Sequence, residues 1–166
     1  MFEFEFVVNK DLYEKIKNLK NEKNKSISSI VRDILLKMLS FLTKKHIEEP
    51  IRKKDYPRIN ATKRIRAYLP EEVYNQLKMI HHQLNTFSMA TLIREILEVY
   101  FEGIEEYGEE EFMNIVKKVS DEIESMRRNK VRVKKIGQDI PRPIAKLYRY
   151  LTYFSYDFSF TEFQSL

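Results

Sequence analysis

Lys63-Arg64-Ile65-Arg66-Ala67-Tyr68-Leu69-Pro70-Glu71-Glu72 is the stretch whose reading decides the fold. Ile65, Ala67 and Leu69 alternate with Arg64, Arg66 and Tyr68, the period-two pattern of a strand with one buried face. Pro70 suits the first position of a helix, where its missing N–H needs no partner. Glu71 and Glu72 then favour the positive end of the helix dipole. Val73, Leu77 and Leu84, with Ile80 near their edge, continue as an apolar stripe at helical spacing. Beyond the turn Thr86-Phe87-Ser88, Ser88 reads as an N-cap. It opens a second stripe of Leu92, Ile93, Ile96, Leu97, Tyr100 and Phe101.

The same order of elements occurs near the start of the chain. Phe2-Glu3-Phe4-Glu5-Phe6-Val7-Val8 is followed by Leu12, Ile16 and Leu19, then by the turn Lys25-Ser26-Ile27-Ser28-Ser29. Ser26 is the matching N-cap, ahead of Ile27, Ile30, Val31, Ile34, Met38 and Leu42. Equivalent residues lie 61 apart before the turn (Ile16 and Leu77) and 62 apart after it (Arg32 and Arg94), so the copies differ by one residue in the turn. An internal repeat outranks other organisational signals, because missing it misassigns the whole fold.

The run Arg64 to Glu72, with Leu77, Ser88 and Leu92-Ile93-Arg94-Glu95, resembles the ribbon-helix-helix superfamily of small DNA-binding proteins. The resemblance covers about 40 residues of the second copy, is looser over the first, and does not reach residues 109–166. It implies that two copies pair their strands antiparallel into a two-stranded ribbon over four helices. The physics agrees, since a strand and two short helices cannot bury both stripes alone. Here the partner copy is covalently supplied, and a linker of this length spans roughly 60 Å at about 3.3 Å per residue. The expected architecture is mainly α: a tandem ribbon-helix-helix unit over residues 1–107 with a C-terminal helical extension over 108–166. Within the unit, copy one is 1–42, the linker 43–62 and copy two 63–107.

The resemblance also implies a partner, double-stranded DNA, and a role in transcription regulation. The ribbon would enter the major groove, where Arg64 and Arg66 donate to guanine O6 and N7 and Tyr68 adds a hydroxyl or packs on a thymine methyl. Backbone N–H groups at the helix starts Ser26-Ile27 and Ser88-Met89 would clamp phosphates. Lys25, Arg52, Lys53, Lys54 and Lys63 would add salt-sensitive affinity.

The first strand departs from this pattern. With Phe2, Phe4 and Phe6 facing the core, its outward residues are Glu3, Glu5 and Val7, and a one-residue slip would expose three phenylalanines. A carboxylate in the groove is repelled by phosphate and accepts only from groups such as cytosine N4. Two explanations stand. Strand one pairs with strand two of the same chain, Glu5 lies opposite or diagonal to Arg66, and the DNA site is asymmetric. Alternatively the ribbon no longer reads DNA, and the fold is an interaction or assembly module, antitoxin-like or structural.

Charge is distributed unevenly behind the net +5. Seven basic residues face only Asp55 between Arg52 and Arg66, and nine face only Asp139 between Arg127 and Arg149. From Glu95 to Glu124, eleven acids face Lys117 and Lys118, which suggests a nucleic-acid face opposite a solvated or partner-binding one. Phe112, Ile115, Val116, Val119, Ile123 and Met126 form the stripe of an amphipathic helix over 109–129. Because the tandem core is already complete, that stripe is assigned to self-association, with packing back on its own domain as the alternative. The tail 144–166 holds eight of the 21 aromatics and reads as a packing or interface segment, a second route to self-association.

Nothing in the sequence motivates an enzyme. Cysteine is absent, which removes disulfides and thiolate chemistry. His81 and His82 are adjacent on a helix, about 100° apart, and cannot line one site. Glycine-rich phosphate loops and nucleophile elbows are missing, so no cofactor, metal or catalytic residue is assigned. No apolar run approaches the roughly 20 residues that span a bilayer, and a cytoplasmic location without membrane contact is expected.

Overall fold

The computed structural model describes residues 1–42, 62–84 and 88–128. The order of elements is β1 (Phe2–Val8), α1 (Lys10–Lys23), α2 (Ile27–Leu42), β2 (Lys63–Leu69), α3 (Glu71–Leu84), α4 (Met89–Tyr107) and α5 (Glu109–Arg128). The described residues are thus mainly helical, with one small antiparallel sheet. Residues 43–61 of the linker and the tail 144–166 lie outside the described residues.

β1 pairs with β2 in a single register: Phe2 faces Leu69, Glu5 faces Arg66 and Val8 faces Lys63. Arg66 lies 61 residues after Glu5, the same offset that relates the two sequence repeats. Repeat-equivalent residues therefore meet at the centre of the ribbon, and an approximate two-fold axis passes between them. Phe6, Val8, Ile65, Ala67 and Leu69 fill the inward face, all essentially buried. Phe2, expected to face the core, is 43% exposed. It sits in the end pair of the ribbon, opposite Leu69, and stacks on Tyr74 of α3 with ring centroids 4.6 Å apart.

Local chemistry starts and stops the helices. The Asn9 side chain accepts from the Leu12 N–H at 2.8 Å and caps α1, while Asn24, at φ 49°, ends it in the left-handed conformation. Ser26 Oγ accepts from the Ser29 N–H at 3.1 Å, and Ser88 Oγ from the Thr91 N–H at 3.2 Å. Pro70 sits one position earlier than expected. Its carbonyl takes the first helical bond of α3, from Tyr74, so it occupies the capping place rather than the first turn. α2 then packs against β2 and α4 against β1, so the second helix of each repeat lies under the other repeat's strand. Leu35, Met38 and Leu39 join Leu92, Ile93, Ile96 and Leu97 in the shared core.

The expectation that the α5 stripe serves contacts between chains is corrected for its first half. Phe112, Val116 and Val119 are buried in the same core, against α4 and α2. Two devices dock this helix. Gly103 leaves a gap in α4 that the Phe112 ring fills, for a Cβ there would lie 2.2 Å from the ring edge. Glu109, at the start of α5, accepts from Lys23 of α1, Lys37 of α2 and the Tyr100 hydroxyl of α4. The bond from Lys37 leads in holding its carboxyl down at about 2, opposed by burial and helped by Tyr100 and Lys23. Burial, and then the hydrogen bond to Glu109, pushes the Tyr100 hydroxyl well above its ordinary range.

Gly103→Ala should destabilise the fold. Helix propensity favours Ala by about 0.5–1 kcal/mol, but forcing Phe112 aside costs about 1–3 kcal/mol. A lower urea midpoint at unchanged m-value is the expected reading. For Glu109, whose folded carboxyl is lowered from 4.5 to about 2, the stabilisation is complete above 4.5 and vanishes as pH falls towards 2. Thermal melts across that window should show the wild type losing its advantage over Glu109→Gln, an advantage of roughly 1 kcal/mol once solvent screening is allowed for.

Candidate nucleic-acid interface

The outward face of the ribbon is built by strand parity alone. Residues alternate across a strand, so the packing of Phe6, Val8, Ile65, Ala67 and Leu69 turns Glu3, Glu5, Val7, Arg64, Arg66 and Tyr68 the other way. Arg64 and Arg66 have 72% and 58% of their side chains exposed. Tyr68 stands 44% exposed at the end of the row, beside Glu3 of the facing strand.

The two arginines are not free cations. Arg66 Nε lies 3.0 Å from Glu3 Oε1, and its terminal nitrogen lies 3.4 Å from Glu5 Oε2. Arg64 Nε lies 3.3 Å from Glu5 Oε1. Together they form a ladder, Glu3–Arg66–Glu5–Arg64, that runs across the centre of the ribbon. Glu3 first, and then Glu5, raises the Arg66 guanidinium above its ordinary value.

A start of a helix is fastened to each edge of this face. On the β2 side, the Tyr68 N–H donates to Ser28 Oγ at 2.8 Å, which holds the first turn of α2 against the strand. On the β1 side, Arg94 donates to the Val7 carbonyl at 3.0 Å and to Thr91 Oγ1 at 2.8 Å, which holds the first turn of α4. Arg94 Nε is buried without a partner, so two well-made bonds offset one unmade. The initial N–H groups of a helix have no partner within it, and they carry the positive end of its dipole. Two such ends flank the ribbon.

Of the remaining residues assigned from sequence, Ser26 and Ser88 sit at these helix starts as caps. Met89 opens α4 with its side chain partly buried against the core, so only its backbone is placed to meet an anion. Lys25 is near the start of α2 but is bonded to Asp33 at 2.6 Å. Lys63 is exposed at the end of β2, with the parity of the inward face. Arg52, Lys53 and Lys54 lie outside the described residues.

Sequence reasoning missed Ser28, Thr91 and Arg94. A signal was present: Arg32 and Arg94 are repeat equivalents, and each bonds a hydroxyl three residues earlier, Ser29 or Thr91.

Elsewhere, a cleft of about 330 Å³ between α1 and α2 is lined by Lys23, Lys25 and Lys37, but Asp33 and Glu109 already pair with all three. It offers an incoming anion no unpaired cation among these lysines. Among the described residues no group of three or more His, Asp or Glu is placed to hold a metal ion, and no helix is long and apolar enough to cross a membrane. Compared with known proteins, the chain matches no family model, no curated protein and no solved structure.

Replacing Arg94 by Met keeps most of its volume but leaves the Val7 carbonyl without its donor. We expect a loss of about 1–3 kcal/mol in chemical denaturation.

Proposed function

We propose that this chain is a sequence-specific double-stranded DNA-binding protein, most simply a transcriptional regulator that acts by occupying its operator. In this reading residues 1–107 form a tandem ribbon-helix-helix unit whose two strands enter the major groove together, and 108–166 extend it. The single observation that carries the reading is the attachment of one helix start to each edge of an exposed, arginine-bearing ribbon. A groove about 12 Å wide admits a two-stranded ribbon, and the phosphate backbones then run along both edges, where the helix starts lie. Arg64, Arg66 and Tyr68 are the proposed base readers. The backbone N–H groups near Ser26 and Ser88-Met89 are the phosphate anchors, with Lys63 adding charge.

The carboxylate ladder favours a second reading. Guanidinium groups paired with Glu3 and Glu5 suit a structural role, and the fold would then be an interaction or assembly module. The two readings differ in their response to salt. Phosphate binding weakens steeply as salt rises, whereas an apolar protein interface changes little.

The test is selection from randomised duplex DNA at two salt concentrations. An enriched site, bound less tightly at the higher salt, is expected. Arg64→Ala combined with Arg66→Ala should leave the helical circular dichroism signal intact and abolish site preference, each lost guanine contact costing about 1–3 kcal/mol of discrimination. Unchanged specificity in that variant sinks the mechanism.

A further inference from the structure

The ribbon carries as many carboxylates as guanidinium groups on its outward face, and they are sorted by strand. Both acids, Glu3 and Glu5, belong to β1, and both arginines, Arg64 and Arg66, belong to β2. A protein that only gripped phosphate would bind more tightly with either acid removed. In the groove a carboxylate needs a donor, and few base edges supply one beside the acceptors that arginine needs. A G·C pair does: guanine presents O6 and N7 as acceptors, and cytosine presents its N4 amino group as a donor. A T·A pair gives the arginine a single thymine O4 next to a methyl group. Arg66 and Glu5, which face each other across the ribbon, are thus complementary to one G·C pair, and Glu3 and Arg64 join them on the diagonals, facing Tyr68 and Val7.

We propose that Glu3 and Glu5 are specificity determinants, and that the ribbon selects G·C pairs whose guanines all lie on the DNA strand beneath β2. The inference rests on the groove-reading function proposed above. In the unbound chain every outward guanidinium already has a carboxylate partner at 3.0–3.4 Å. Phosphates of random sequence must compete with that partner and offer the carboxylate nothing. At a G·C pair both groups exchange partners together, so the ladder opens without leaving a buried charge unpaired.

The spacing sets the site. Arg64 and Arg66 are two residues apart, about 6.7 Å along a strand, and successive base pairs rise about 3.4 Å. Their guanines therefore fall roughly two base steps apart on one DNA strand. At the two-fold axis, where identical chains would present identical residues, this ribbon presents Glu5 against Arg66. The site therefore departs from a palindrome at its centre.

The full chain is carried through selection on randomised duplex DNA alongside Glu3→Gln/Glu5→Gln and the single variant Glu5→Gln, with circular dichroism reporting the fold of each. The wild type should enrich a non-palindromic site with two guanines on one strand. The variants should bind unselected duplex about tenfold more tightly, since each lost carboxylate frees a cation for phosphate. Their ratio of site to random affinity should fall at least as far. If the double variant loses helical signal, the single variant decides the same comparison. Variants with wild-type affinity for random duplex and a wild-type ratio overturn the inference and leave groove reading intact, as does an enriched palindrome or a site without paired guanines. A wild type that enriches nothing overturns both.

Discussion

The antiparallel pairing of β1 with β2 is the constraint on which the rest of the molecule depends. Neither strand buries its inward face by itself, and a lone two-stranded ribbon is marginal in water. Pairing in the observed register turns Phe6, Val8, Ile65, Ala67 and Leu69 to one side, where helices from both repeats cover them. The same register decides everything on the outer side. A slip of one residue would move each apolar side chain into solvent and dissolve the Glu–Arg ladder at once. Core and surface are therefore specified by a single alignment.

That alignment also explains why the two repeats are allowed to differ. Residues related by the repeat meet at the axis, so a ribbon made of two first strands would set Glu5 against Glu5. One made of two second strands would set Arg66 against Arg66. Like charges directly opposite are unfavourable, and opposite charges are favourable. Divergence of the outward residues thus selects the mixed ribbon. It also places unlike chemistry on the two strands, the property from which an asymmetric DNA target follows in the proposed function.

α5 adds a further layer without altering the ribbon. Its docking depends on a steric gap at Gly103 and on a carboxylate, Glu109, that gathers Lys23, Lys37 and Tyr100 from three other helices. Glu109 also begins a helix whose first turn is acidic, so the dipole and the lysines act in the same direction. The attachment of α5 is therefore weakened by acid through Glu109.

Much of the architecture was legible by periodicity. The alternation at Ile65, Ala67 and Leu69, the helical stripes at Leu12, Ile16 and Leu19 and at Leu92, Ile93 and Ile96, and the serine caps at 26 and 88 stand where local pattern put them. These features arise from contacts within one strand or one helical turn, and a linear sequence records such spacing directly. Local pattern says which face of an element is apolar, but not which other element covers it. Phe2 shows that limit: its parity is right, yet at the end of the ribbon its ring is covered only in part, by stacking on Tyr74. The Gly103–Phe112 fit, the bonds from Lys23 and Lys37 to Glu109, and the hold of Arg94 on Val7 join residues that only the packed chain brings together. For the candidate interface, the sequence by itself determined which side chains face outward, through the period-two geometry of a strand. The meeting of Glu5 with Arg66 followed from pairing the two strands, but only the tertiary structure decided that Glu3 and Arg64 join them in one ladder and that two helix starts flank it, because these depend on register and helix placement across distant segments.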